Sequence, residues 1–156
     1  PEHLPLKGRM KAYLLPVSVE LPLSIGIPTE YVTEQEMRLR LYRRIADIEA
    51  EDEIPSLEEE FRDRFGPLPE MVRNLLFQVK VKLQAEEANL SAVIFESGQI
   101  ILRVSQISDD SSARILPDIG FQARVGKNAY WLPWDEEEEK WKVRLLGALA
   151  AIYEHA

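Results

Sequence analysis

Three charged residues with helical spacing are the strongest candidates for chemistry in this chain: Glu60, Asp63 and Arg64. Positions i, i+3 and i+4 lie on one face of an α-helix. Phe61 and Phe65 follow Glu60 and Arg64 and point towards the apolar side, so we expect the charged residues at the surface or its rim. Taken alone, the spacing favours a Glu60–Arg64 surface pair that contributes roughly 0.3–0.5 kcal/mol. The same spacing also fits a charged contact with a partner.

Other arrangements that would support catalysis or nucleotide binding are incomplete. Residues 120–128 resemble a phosphate-binding loop, but five residues instead of four separate the glycines, and asparagine replaces the Ser or Thr that would bind Mg²⁺. We interpret this stretch as a hairpin turn. His3 and His155 lie at opposite ends of the chain, which argues against a metal site or a nucleophile–base pair built on them. We therefore predict no catalytic residue, no metal site and no cofactor.

The composition is acidic and lacks cysteine. A chain of 156 residues suits one domain that buries a sizeable core without metals or disulfides. The formal net charge is −8, from 27 acidic and 19 basic residues. Nucleic-acid binders carry a clustered positive surface, so we expect no direct nucleic-acid contact and favour a basic protein partner. Without cysteine, a signal-peptide pattern or an apolar run of ~20 residues, a cytoplasmic protein with no membrane contact is expected.

Arginines crowd one predicted helix in the first half of the chain. Acidic side chains flank them on both sides, which is typical of a solvated, charge-balanced helix rather than of a phosphate-binding strip. The arginines concerned are Arg38, Arg40, Arg43 and Arg44, and the flanking acids are Glu34, Glu36, Asp47 and Glu49.

Apolar residues at helical spacing predict three consecutive helices between residues 33 and 88. A capping box of Thr33 and Glu36 is expected to start the first helix, and one of Ser56 and Glu59 the second. The Gly-Pro-Leu-Pro sequence at residues 66–69 predicts the end of the second helix and the turn into the third. The three apolar stripes contain Met37, Leu41, Ile45 and Ile48; Leu57, Phe61 and Phe65; and Val72, Leu75, Leu76, Val79 and Leu83.

The rest of the chain contains short β-rich runs. Residues 17–27 alternate with period 2 around Pro22, which predicts an edge or bulged strand. The acidic residues 135–139 predict the start of a final helix, because the helix dipole favours negative charge there. The predicted fold class is α+β: three consecutive helices followed by a small antiparallel sheet and a C-terminal helix. Two hairpins are expected to supply the sheet, with strands near residues 92–95, 99–104, 121–125 and 129–132.

The ends of the chain and one internal segment lack a clear pattern. Residues 1–16 carry three prolines, so we expect a leader or a linker remnant with a short strand at residues 12–15. Residues 105–113 are polar and predict a loop. Residues 17–156 are expected to form a single α+β domain. Because the chain begins at Pro1 without a methionine, we expect it to be part of a longer protein.

Two motifs make the chain resemble a known family. The sequence YRRIA at residues 42–46 fits a Y-[KR]-R-[IL]-A helix, and EFRDRFGPLP at residues 60–69 fits an E-x-x-D-R-F-G-x-L-P corner. Both motifs are typical of the C-terminal regulatory domain of the bacterial transcription-repair coupling factor. The resemblance is most specific over residues 33–83 and extends more loosely over most of the chain.

The resemblance implies a regulatory role inside a larger machine. Such a parent is an ATP-driven translocase that dislodges RNA polymerase stalled at DNA damage and recruits nucleotide-excision-repair proteins. By resemblance, this domain is a non-catalytic intramolecular clamp that masks the recruitment site for the damage-recognition protein. Its partner would be the N-terminal repair-homology domain of the same polypeptide, bound through Glu60, Asp63 and Arg64. RNA polymerase and the excision-repair proteins would be indirect partners.

Two other functions stay open. The acidic composition also fits a stand-alone interaction domain that binds another partner in trans. A hydrolase with an acidic cleft would need a buried carboxylate whose pKa is raised. Binding to the parent's N-terminal module would separate the clamp from the first alternative, and a buried carboxylate in a pocket would support the second.

Overall fold

The computed structural model describes residues 17–105 and 115–155. The predicted leader with its strand at residues 12–15, His3, and residues 106–113 of the predicted loop lie outside this part. The described elements confirm the α+β prediction, with three helices before the main part of the sheet and one after it. They are β1 (Ser18–Glu20), α1 (Gln35–Ala46), α2 (Glu53–Phe65), α3 (Glu70–Glu87), β2 (Leu90–Glu96), β3 (Gln99–Val104), β4 (Arg124–Val125), β5 (Ala129–Pro133) and α4 (Glu138–Glu154).

The chain divides into two compact units. The helical unit comprises Leu21–Gln84, and the sheet unit comprises the described residues up to Glu20 and from Ala85 onwards. The boundary falls inside α3, between Gln84 and Ala85. The candidate residues of α2 belong to the helical unit. A single domain over residues 17–156 stays a prediction.

The helical unit has a core built from the three predicted apolar stripes. Leu41, Phe61 and Val72, one from each helix, are at most 1% exposed. Burying such a side chain stabilises the fold by about 1.5–3 kcal/mol, so these stripes determine which face of each helix points inwards. The other buried members are Ile45, Ile48, Ile54, Leu57, Leu76 and Leu83, with Ile27, Val32 and Leu68 from the connecting segments; Met37, Phe65, Leu75 and Val79 are partly buried.

The predicted start of α2 at Ser56 is wrong. The helix begins at Glu53, with Asp52 in the N-cap position, so Ser56 lies inside the helix. Pro55 does not prevent this, because the first turn of a helix has backbone N–H groups without intrahelical partners. Ile54 is buried and extends the apolar stripe backwards. Burial of Ile54 therefore outweighs the capping-box pattern.

The ends of α1 and α2 are capped in other ways than predicted. Glu34 occupies the N-cap position of α1 and makes no side-chain capping bond, so the Thr33 capping box is also wrong. Before α2, the Oε2 atom of Glu53 accepts hydrogen bonds from the backbone N–H groups of Glu49 (3.1 Å) and Ala50 (2.9 Å). A carboxylate thus holds the turn between the two helices.

The corner after α2 forms at the predicted residue. Gly66 ends the helix with φ +94°, a backbone conformation that residues other than glycine rarely adopt. The hydroxyl of Tyr31 donates to the carbonyl oxygens of Gly66 (2.8 Å) and Phe61 (3.2 Å). The segment before α1 is therefore bonded to the C-terminus of α2. Helix α3 then begins at Glu70, directly after Pro69.

The sheet unit contains one five-stranded sheet with strand order β1-β2-β3-β5-β4. The pairs β2–β3, β3–β5 and β4–β5 are antiparallel, as predicted. The edge strand β1 pairs with β2 in parallel, so the sheet is mixed. Of the predicted strand at residues 17–27, only Ser18–Glu20 joins the sheet, and Pro22 lies beyond its end.

Both predicted hairpins are present in the sheet unit. Ser97 and Gly98 have positive φ values, +52° and +74°, as a two-residue type I′ turn requires. Residues 120–128 do not form a phosphate loop: β4 lies within them, and the N–H of Gly126 donates to the carbonyl of Ala129 in the turn to β5. Helix α4 buries Trp141, Leu145, Ala148, Leu149 and Ile152.

Candidate partner-binding face

Helix α2 presents the three predicted residues outside its buried stripe. Leu57 and Phe61 point into the core, whereas Asp63 and Arg64 are exposed. The side chain of Glu60 is 35% exposed and lies at the rim. Glu60, Asp63 and Arg64 are called the docking face below. The structure brings them together on one surface, and their role in binding stays a prediction.

Glu60 is held from two helices. Arg44 of α1 binds it with both ends of its guanidinium: Nη1 lies 2.6 Å from Oε2, and Nη2 lies 2.9 Å from Oε1. Arg64, one turn further along α2, donates from Nη1 to the same Oε2 at 3.0 Å. The expected Glu60–Arg64 pair is therefore only part of a three-residue network that joins α1 to α2.

The network determines the charge state of Glu60. Its hydrogen bonds with Arg44, and to a smaller extent that with Arg64, lower the pKa of the Glu60 carboxyl from 4.5 to about 2, against an opposing effect of burial. The same hydrogen bonds raise the pKa of the Arg44 guanidinium. Glu60 is therefore ionised and already neutralised by its neighbours at physiological pH.

Asp63 and Arg64 differ in whether their charged groups already have partners within the described residues. Within the described residues, the exposed carboxylate of Asp63 has no cationic partner. Arg64 donates to Glu60, its Nη2 lies 3.5 Å from the sulfur of Met37, and its guanidinium carbon lies 5.0 Å from the ring centroid of Phe65. Among the described residues, no cation occupies Asp63, so its carboxylate can accept hydrogen bonds from an incoming cation.

Arg44 is the residue that sequence reasoning missed. The acids that flank the arginines of α1 indicate a solvated cluster, and no spacing rule relates Arg44 to Glu60, which follows sixteen residues later in another helix. Both residues lie in the two motifs that carry the family resemblance, and this shared membership was the available signal. Tyr42 in the first motif has a structural role, since its hydroxyl accepts the backbone N–H of Ile27 at 2.7 Å.

An open cleft of about 480 Å³ lies beside the network, between α1 and α2. Four carboxylates and one guanidinium line it, so its charge is negative. Within residues 17–105 and 115–155, no three His, Asp or Glu side chains are arranged to hold a metal ion. The charged residues of the cleft are Arg44, Asp47, Asp52, Glu53 and Glu60.

Comparison with known proteins matches the region that contains this network. The sequence model of the TRCF domain family covers residues 21–115, more than half of the chain. The chain belongs to the TRCF domain family. The transcription-repair-coupling factor of Rickettsia conorii is 41% identical over 110 residues, which are 69% of this chain and 10% of that protein. That of Haemophilus influenzae is 38% identical over 72 residues, 46% of this chain and 6% of that protein.

A solved structure shows the same fold for this TRCF domain. The crystal structure of a C-terminal domain of transcription-repair coupling factor superposes with a TM-score of 0.74, over 89% of this chain and 92% of that one, at 19% sequence identity. The chain spans about a tenth or less of the length of the first curated relatives it matches. None of the helices within the described ranges has both the length and the apolar character needed to cross a membrane.

Proposed function

We propose that this TRCF domain is a non-catalytic, intramolecular clamp in a bacterial, cytoplasmic transcription-repair coupling translocase. It binds the N-terminal repair-homology domain of the same polypeptide and so masks the recruitment site for the nucleotide-excision-repair damage-recognition protein. RNA polymerase and the excision-repair proteins are reached only through the parent. The observation that carries the proposal is the docking face, where Asp63 stands exposed and unpaired among the described residues beside a network that joins both family motifs.

The charges support a basic partner surface. The chain carries a net charge of −8, and charge complementarity between surfaces favours specific association. An exposed carboxylate such as Asp63 is hydrated, so it costs the folded domain little stability when no partner is bound. A guanidinium that binds it forms a charge-assisted hydrogen bond. The docking face therefore suits an arginine-bearing surface.

A hydrolase with an acidic cleft has less support. Its general acid would need a raised pKa, whereas the pKa of Glu60, which lines the cleft between α1 and α2, is lowered to about 2. The buried polar residue of the described chain is Asn74, an amide that cannot act as a general acid. The carboxylates of the cleft instead reinforce the case for a basic partner.

The test is a charge reversal at Asp63 in the full-length parent. Asp63→Lys replaces an attraction by a repulsion against a basic surface, which can cost several kcal/mol, so a clamp held closed by a few kcal/mol opens. We expect the variant to bind the purified damage-recognition protein more tightly than the wild type. Because Asp63 is exposed, the free energy of unfolding of the variant should stay within about 0.5 kcal/mol of that of the wild type.

A matched control has the same change in net charge elsewhere. Glu154→Lys reverses an exposed carboxylate at the end of α4 and should leave the affinity unchanged. Equal affinities for the wild type, Asp63→Lys and Glu154→Lys would overturn the clamp proposal. If the isolated domain then bound a different purified protein through Asp63, the function in trans would replace it.

A further inference from the structure

The acceptor capacity of Glu60 is almost fully used. A carboxylate offers about four lone-pair positions on its two oxygens. Three are occupied: two on Oε2, by Arg44 and Arg64, and one on Oε1, by Arg44. A partner's guanidinium can therefore add a single hydrogen bond at Oε1, but it cannot bind both oxygens of Glu60 without displacing Arg44.

Arg44 makes that displacement unfavourable. Its bidentate geometry is the stronger form of an arginine–carboxylate contact, because two parallel hydrogen bonds form to an ionised acceptor. Its positive charge also lies within hydrogen-bond distance of the docking face and repels an incoming cation. Asp63 has neither restriction, since no described cation pairs with it.

We propose that Arg44 is an internal competitor for Glu60, so that Asp63 is the primary anchor of the docking face and Arg44 limits the strength with which a basic partner binds. This inference rests on the proposed function and adds to it the regulation of the same site. The partner surface it describes presents one guanidinium to Asp63 and no more than one further hydrogen-bond donor to Glu60. Because Arg44 limits the strength of this contact, the closed state of the clamp can open again.

The binding test compares variants of the 156-residue chain against the purified N-terminal repair-homology module of the parent. Arg44→Gln frees Oε1 of Glu60 and leaves Oε2 bonded to Arg64 alone. It also removes the repelling charge, so the affinity should rise at least about threefold, within the range known for exposed charge pairs. Arg43→Gln is the matched control, because it removes the same charge from the neighbouring exposed residue, which makes no hydrogen bond or ion pair with Glu60 in the described part of the chain. Its affinity should stay within about twofold of the wild type.

Arg44→Lys separates geometry from charge. Lysine keeps the positive charge but lacks the planar fork that binds two oxygens, so it holds Glu60 less firmly. We expect an affinity between those of the wild type and Arg44→Gln. If Arg44→Gln and Arg43→Gln strengthen binding equally, or if neither does, Arg44 is not a specific competitor and the inference is wrong.

The variant Asp63→Asn separates a failure of the proposed function from a failure of the competitor inference alone. It should weaken binding to the module more than any variant at Arg43 or Arg44 alters it, because it removes the primary anchor. Unchanged binding of Asp63→Asn would overturn the docking face and the competitor together. Weakened binding of Asp63→Asn with no response to Arg44→Gln would overturn only the competitor.

A second measurement does not require the partner. In the isolated chain, carbon-detected NMR titration should give a pKa of about 2 for the Glu60 carboxyl in the wild type. In Arg44→Gln the pKa of Glu60 should rise towards its ordinary value of 4.5, and in Arg43→Gln it should not. An unchanged pKa in a folded Arg44→Gln would show that Arg44 does not hold Glu60 in solution.

Discussion

The two carboxylates of the docking face differ in what surrounds them. From their spacing, reversing both Glu60 and Asp63 to lysine is expected to change the stability by less than about 1 kcal/mol. The structure limits that expectation to Asp63, which is exposed. A lysine at position 60 would stand between Arg44 and Arg64 and bring three cations together. For this reason the functional test uses Asp63 alone.

The first prediction at the residue scale concerns the pH dependence of stability. The pKa of Glu60 is about 2 in the folded chain and near its ordinary value of 4.5 when unfolded, so its ion pairs contribute fully above pH 4.5 and are lost as the pH falls towards 2. Glu60→Gln should lower the free energy of unfolding by up to about 1 kcal/mol at pH 7, since solvent screens the partly exposed group. Urea unfolding from pH 7 to pH 2 measures the difference between wild type and variant, which should shrink below pH 4.5.

The matched control for this prediction is Glu59→Gln. Glu59 is the exposed neighbour on the same helix and should show no comparable pH-dependent difference. A difference between wild type and Glu60→Gln that stayed constant down to pH 2 would contradict a pKa lowered by Arg44 and Arg64.

The second prediction concerns the two phenylalanines of α2. Phe61 is fully buried and Phe65 only partly, and their rings meet edge to face with centroids 6.1 Å apart. Phe61→Ala should cost roughly 3–5 kcal/mol, the range for a fully buried ring, and Phe65→Ala less. Denaturant unfolding of both variants measures the difference. An equal or larger loss for Phe65→Ala would mean that the stripe of α2 faces the core differently.

At the scale of elements, the start of α2 decides the role of Ser56. A serine that caps a helix contributes about 1 kcal/mol, but Ser56 lies inside the helix and is exposed. Ser56→Ala should therefore leave the free energy of unfolding within about 0.5 kcal/mol of the wild type or raise it slightly, because alanine favours the helix interior. Urea unfolding measures the free energy of unfolding of this variant. A loss of about 1 kcal/mol would mean that Ser56 caps the helix after all.

Helix α2 is joined to α1 and to the segments on either side of α1 by contacts at both of its ends. Glu53 caps the turn that follows α1, and Tyr31 bonds to the last carbonyls of α2 at Phe61 and Gly66. Between them, Arg44 holds Glu60 across the two helices. The docking face is therefore carried by a helix whose position is fixed along its length, as a binding surface on a rigid element requires.

At the scale of the whole molecule, the net charge of −8 predicts how association responds to salt. Surface charges are screened over about 10 Å at 0.1 M ionic strength and about 3 Å at 1 M. The association rate with the proposed partner, a basic surface of the N-terminal module, should therefore fall as the salt concentration rises from 0.05 to 0.5 M, because electrostatic steering is lost. Stopped-flow kinetics measures this rate. A rate independent of salt would contradict a docking surface recognised by charge.

The sequence by itself determined the order of the elements and the inward faces of the helices. The stripes through Leu41, Phe61 and Val72 recur at helical spacing, and a helix with one apolar stripe can bury it in only one orientation. Gly66 and the adjacent prolines identified the corner, because few other residues adopt its backbone conformation. The motif that contains that corner and the one in α1 identified the family, which the match over residues 21–115 confirmed.

Only the tertiary structure decided what these elements contact. The partner of Glu60 is Arg44, sixteen residues away, and the first strand pairs in parallel with residues 92–94. The start of α2 at Glu53 depends on the burial of Ile54 in the packed unit. Each outcome depends on segments that are distant along the chain, whereas periodicity and capping patterns describe only neighbouring residues. The difference between Glu60, which is held by two arginines, and Asp63, which pairs with no described residue, therefore appeared only once the helices were packed.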